Sequence, residues 1–188
     1  MILIDNYDSF TYNIVQYLNE FGVFPKIFYN DKITIDELKS MNFNSIIISP
    51  GAGNPNTAGI SMKVIEEFAT TKKILGICLG FQCIAQHFGA KITKDTEPTH
   101  GKTSKIKIIE QSQLFKGLPQ KFQVTRYHSL IVASDTVKSP LKVTAGTADR
   151  NIIMAVEHKT LPIFGVQFHP EAILTEYGHE IFENFIQI

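Results

Sequence analysis

Lys73-Ile74-Leu75-Gly76-Ile77-Cys78-Leu79-Gly80 reads as a buried strand that ends on a nucleophile set between glycines. The stretch from Phe81 to Phe88 then continues with helix-like spacing. A reactive side chain at a sharp strand-to-helix turn is a nucleophile elbow. Such a turn is strained and crowded, so residues without a Cβ fit around it. The helix aims backbone N–H groups and the positive end of its dipole at the sulfur, which favours the thiolate, the nucleophilic form. Cys78 is therefore the candidate reacting residue, and a strand feeding a helix in this way predicts an α/β fold.

Working outward, short apolar runs alternate with amphipathic stretches, the pattern of βα units on a parallel sheet. Ile2-Leu3-Ile4 reads as a strand, and Phe10 to Glu20 as a helix with Phe10, Ile14, Tyr17, Leu18 and Phe21 at helical spacing. Lys26 to Tyr29 is a second strand, followed by a short helix over Ile35 to Met41. Ser45 to Ser49 is a third strand with a continuous apolar centre, as expected when both faces are covered. A Pro50-Gly51-Ala52-Gly53-Asn54-Pro55 turn and a helix from about Gly59 to Ala69 lead to the elbow strand. After residue 90 the runs Lys105 to Ile108, Phe122 to Thr125, Ser129 to Ala133, Leu141 to Thr144 and Ile152 to Val156 read as antiparallel strands with one wet face. Pro162 to Phe168 returns to a buried strand, and Thr175 to Gln187 closes as a helix. The expected architecture is a mostly parallel central sheet flanked by helices, with an antiparallel extension in the second half, all within one domain over 1–188.

The 188 residues are 44% hydrophobic and 19% charged, with a formal net charge of zero. No basic stripe points to nucleic acid, and no apolar run is long enough to span a bilayer. The Met1-Ile2-Leu3-Ile4-Asp5 start lacks a basic n-region and a cleavage site, so it reads as a first strand and the protein as cytoplasmic. Cys83 is five positions from Cys78, unsuited to a disulfide with it or to a zinc pattern, and reads as a small buried apolar residue. No metal site is expected.

Cys78 needs a base. Of six histidines, His169 ends the buried 162–168 strand, in His169-Pro170-Glu171. Active sites of open α/β sheets lie at the carboxyl ends of strands, so Cys78 and His169 can meet there. In an extended segment His169 and Glu171 project to one side, and Glu171 can orient the ring while its other nitrogen faces Cys78. A buried histidine at a strand-end turn is the competing reading of His169 alone. The Leu79 amide is one oxyanion donor, and the Gly51-Ala52-Gly53 turn offers a second at Gly51. Gln82, one helical turn beyond Cys78, could bond an amide substrate or be an ordinary polar helix residue.

Together Gly76-Ile-Cys78-Leu-Gly80 with Gln82, the Pro50–Gly53 turn and His169-Pro-Glu171 resemble class I (triad-type) glutamine amidotransferases. The Asp5–Asn13 opening, His100–Ser104 and Arg126-Tyr127-His128-Ser129-Leu130 are similar to the glutaminase component of chorismate-using synthases, those making anthranilate or aminodeoxychorismate. The resemblance covers essentially the whole chain. It implies a Cys78–His169–Glu171 triad that hydrolyses L-glutamine to glutamate. It implies glutamine contacts at Gly51 to Gly53, Gln82, and main-chain groups of Ser129 and Leu130. It implies no cofactor in this chain, with Mg2+ on a chorismate-binding synthase subunit that forms a heteromer with it and takes the ammonia. The Asp5–Asn13 and His100–Ser104 segments are expected to face that partner. Phrases such as Gly165-Val-Gln-Phe-His lean toward the aminodeoxychorismate branch, with anthranilate synthase or a shared subunit as alternatives, and a different elbow-cysteine hydrolase as a remoter one. Two positions depart from the family pattern. Ala52 stands where proline is usual, and Ala172 where serine usually follows His-Pro-Glu.

Overall fold

Ile2-Leu3-Ile4 and Ile46-Ile47-Ile48 are apolar at every position, so neither face of their strands can be wet. The computed structural model describes residues 1–188 and buries both segments completely. They lie in β1 (Ile2–Asn6) and β3 (Ser45–Gly51), which pair in parallel. β2 (Lys26–Tyr29) flanks β1, and β4 (Lys73–Ile77) and β9 (Ile163–Val166) continue beyond β3, all parallel. Alternate strand residues sort into two cores. Ile2, Ile4, Ile46, Ile48 and Ile74 pack with α2 (Ile35–Lys39), α3 (Ser61–Phe68) and α4 (Leu79–His87). Leu3, Ile47, Leu75 and Ile77 pack with α1 (Thr11–Glu20) and α5 (Gly178–Gln187) on the other face. The result is a helix–sheet–helix sandwich, built by the period-two alternation of strand side chains.

The full sheet has nine strands in the order β2-β1-β3-β4-β9-β8-β7-β5-β6. From β9 onward every pairing is antiparallel, through β8 (Ile153–His158), β7 (Leu141–Thr147), β5 (Ile92–Ile108) and β6 (Lys121–Val132). The parallel half and the antiparallel extension match the sequence reading. Details differ. The 122–125 and 129–133 runs are one twelve-residue strand, β6. Residues 92–104, unassigned from sequence, are the arm of β5 that pairs with β6. Its side chains are mostly exposed, so pairing rather than burial defines it, and the register shifts around Pro98 and Gly101 blur any alternation. β8 is buried along its whole length instead of having a wet face, because Ile153 and Val156 join the core on one side of the sheet and Met154 and Ala155 the core on the other. Helices α1, α2, α3 and α5 start or stop one to three residues inside the ranges read from sequence, where ends fray into turns. No helix is long and apolar enough to cross a membrane.

Candidate active site

The carboxyl ends of β1, β3, β4 and β9 converge on one cavity of about 520 Å3. β1 is followed by Asp8, Ser9 and Phe10, β3 ends on Pro50 and Gly51 and is followed by Ala52 and Gly53, β4 is followed by Cys78, and β9 by His169, all of which line it. The remaining wall comes from the β5–β6 hairpin, with His100, Tyr127, His128, Ser129 and Leu130. This is the strand-order crevice where open α/β sheets hold ligands.

Cys78 has φ +51°, a left-handed conformation that a non-glycine residue adopts at a cost. Two backbone bonds and a pair of nearby glycines hold it there. Its N–H bonds to the Val166 carbonyl at 2.8 Å, its own carbonyl accepts from Gln82 N–H at 3.0 Å, and glycines sit on both sides. A Cβ on Gly76 would come within 2.7 Å of Ile84 Cδ1, and one on Gly80 would run into the Ile48 backbone. The glycines are thus needed for strand and helix to approach closely. Leu79 opens α4, so its N–H has no partner within the helix and is free to bind a developing oxyanion.

His169 and Glu171 are almost fully buried. His169 Nδ1 donates to Glu171 Oε1 at 2.6 Å, which fixes the tautomer and leaves Nε2 unpaired toward Cys78. Burial opposes a charged ring. The Glu171 charge and the contact with Cys78 outweigh it, so the His169 pKa stands well above the usual histidine value. The backbone here is clamped as well. His169 N–H bonds to the Thr125 carbonyl at 3.0 Å, and the Thr175 hydroxyl donates to the His169 carbonyl at 2.7 Å. Thr175 thus provides a hydroxyl beside the His-Pro-Glu turn, where Ala172 offers none.

Of the residues singled out from sequence, Gly51, Ala52, Gly53, Cys78, Leu79, Gln82, Ser129, Leu130 and His169 line this cavity, and Glu171 lies behind His169. The Leu130 carbonyl is already occupied, accepting from Gln82 Nε2 at 3.3 Å and from His128 Nδ1 at 3.0 Å. Gln82 also gives its Nε2 to Gln167 Oε1 at 3.1 Å, which leaves its oxygen for a ligand. Ala52 and Gly53 N–H groups have no backbone partner at the cavity rim. Cys83 is wholly buried, and burial pushes its thiol up to about 12, so it is inert.

Several residues of the segments that carry the resemblance support the site in ways that the sequence did not reveal. Asn6, part of the opening segment expected to face a partner, is buried instead. Its backbone N–H bonds to Ser49 Oγ and its side chain to the Ser49 carbonyl, each at 2.9 Å, behind the glycine turn. Arg126 and His128 are buried behind Leu130. Arg126 Nε donates to His128 Nε2 at 2.9 Å, and its guanidinium faces Asp95, which also binds Arg150 at 2.6 Å. Burial, then the Arg126 charge, lower the His128 pKa to about 4. The unfolded chain therefore binds a proton near pH 6.5 that the folded chain refuses until about pH 4. Stability from this group is complete above about pH 6.5 and is lost as pH falls toward 4. A His128→Gln variant should gain about 3 kcal/mol relative to wild type between pH 7 and pH 4, read by urea unfolding at each pH. Parallel curves would contradict the neutral, buried imidazole.

A cysteine elbow answered by a buried histidine–carboxylate pair defines an α/β enzyme of the nucleophile-elbow class. The model of the family described as glutamine amidotransferase class-I matches residues 2–188. The chain is 48% identical to Pseudomonas putida "Anthranilate synthase component 2", covering all of this chain and 96% of that protein. It is also 48% identical to Bacillus subtilis "Aminodeoxychorismate/anthranilate synthase component 2", covering all of this chain and 95% of that one. Among solved structures, a candidate GMP synthase subunit from Thermoplasma acidophilum superposes with a TM-score of 0.85 at 33% identity, over all of this chain and 93% of that one. The chain belongs to the class-I glutamine amidotransferase family.

Proposed function

We propose that this chain is the glutaminase component of a chorismate-aminating synthase, with Cys78, His169 and Glu171 as its triad. The observation that carries the reading is the buried His169–Glu171 pair with its free Nε2 turned to Cys78 at the cavity. Cys78 gives its proton to His169, and the sulfur bonds to the side-chain amide carbon of glutamine. The carbonyl pair moves to oxygen, where the Leu79 N–H and the Gly51 turn stabilise it. As the carbonyl reforms, the C–N bond breaks and the nitrogen leaves as ammonia with the proton held by His169. Water, deprotonated by His169, then opens the thioester to glutamate and returns the thiol. Glutamine is held by Gly51, Ala52, Gly53, the Gln82 oxygen and main-chain groups at Ser129 and Leu130. The ammonia passes to a synthase subunit that binds chorismate. The leading reading of the product is aminodeoxychorismate. A subunit serving both branches is the second reading, favoured by the equal identity to relatives named for one branch and for both.

Ala52 in place of proline leaves the glycine turn freer. Glutamate release is therefore expected to rise at least about tenfold when the synthase subunit is added. The test assays glutamate with and without each candidate synthase, together with the aromatic product formed. Full activity of the lone chain would overturn the partner dependence, and a failure to release glutamate with any synthase would overturn the function.

A further inference from the structure

Gln167 lies just past β9 and is completely buried, two residues before His169. An amide buried so deeply must have partners for both ends, because a lone polar group there costs several kcal/mol. The direction of its bonds is set from outside. The Leu130 carbonyl can only accept, so Gln82 turns its Nε2 toward it at 3.3 Å. That same Nε2 donates to Gln167 Oε1 at 3.1 Å, which leaves Gln167 Nε2 to donate to Cys78 Sγ at 3.5 Å. The Gln167 backbone N–H is tied to the Met154 carbonyl at 2.9 Å, so the side chain has a fixed root. Gln167 bonds the sulfur, and His169, two residues on in an extended segment, faces the same sulfur without a bond to it. The main-chain group near the sulfur, the Tyr127 carbonyl at 4.0 Å, is an acceptor and offers an anionic sulfur nothing.

We propose that Gln167 is a further catalytic residue: its amide N–H holds the Cys78 sulfur toward His169 and stabilises it when it carries negative charge. The charge is present before attack, and again when water bonds to the thioester carbon, its proton passes to His169, and the C–S pair returns to sulfur. The second use rests on the glutaminase reading above, and the first does not. The signal in the sequence is a single amide inside the apolar run Gly165-Val166-Gln167-Phe168.

The test is alkylation of Cys78 by iodoacetamide in the complete chain, followed by mass spectrometry of the Cys78 peptide. It needs no glutamine, so its outcome is separate from that of the proposed function. Gln167→Leu should slow alkylation about tenfold near pH 7, with the gap narrowing as the pH is raised. Gln167→Glu keeps an acceptor for Gln82 but places a carboxylate at the sulfur, and should slow alkylation further. In glutamate release, Gln167→Leu should lower kcat about tenfold and leave KM within about twofold. Folding of each variant is checked by its urea midpoint, and the glutamate variant stands in if the leucine variant does not fold. Wild-type alkylation in either folded variant, or a loss confined to KM, would overturn the proposal.

Discussion

Cys78→Ala is expected to abolish synthesis from glutamine while leaving synthesis from added ammonia intact. Removing the sulfur removes the one nucleophile that stands at the elbow facing His169. His169 and Glu171 stay paired with each other, since neither depends on the sulfur for its hydrogen bond. Loss of a member of such a triad costs about 10^4-fold or more. The fold should survive. The Cys78 side chain is small, and the elbow is held by its backbone bonds to Val166 and Gln82. The measurement is aromatic product formed by the variant with a chorismate-aminating synthase, once with glutamine and once with an ammonium salt. Product from glutamine at more than about a hundredth of the wild-type rate would contradict the role of Cys78. Loss of the ammonia-dependent reaction in an intact complex would contradict the division of labour.

Gly80→Ala is expected to unfold or severely weaken the protein, although the site of change lies in a helix where alanine is intrinsically the better residue. The helix preference is worth about 1 kcal/mol in favour of alanine. Against it stands a new Cβ 3.0 Å from both the Ile48 Cβ and carbonyl carbon, and closer still to the carbonyl oxygen. These atoms belong to the central strand β3 and cannot swing away. α4 or β3 must therefore move, in the middle of one core and at the wall of the cavity. A loss of about 3 kcal/mol or more follows from overpacking against fixed backbone. Urea unfolding measures it. A variant within about 1 kcal/mol of wild type would show that the elbow is not tightly seated.

The parts of this molecule legible in the sequence are those fixed by neighbours in the chain. The elbow at Cys78 depends on glycines two residues away, and the His169–Glu171 pair on a spacing of two. The parallel strands announce themselves because both faces are apolar. Other parts are fixed by distant partners and leave weak local traces. The β5 arm is polar and exposed, and is a strand only because β6 runs beside it. Arg126, His128 and Leu130 share one face at period two, yet their connection runs through Asp95, Arg150 and Gln82 from three other segments. Asn6 reads as part of an exposed opening motif, and only the return of β3 beside β1 buries it behind the glycine turn. The elbow and the His169–Glu171 pair are readable because each is local. Their supports are not, because those are tertiary.

The most direct measurement follows the nitrogen. The reconstituted complex is given chorismate and glutamine carrying heavy nitrogen in the side-chain amide alone, and the aromatic amine produced is weighed by mass spectrometry. The new amino group is expected to carry the heavy label with the wild-type chain, and Cys78→Ala is expected to yield no labelled product. Unlabelled product from wild type, or labelled product from the variant, would contradict the proposed function.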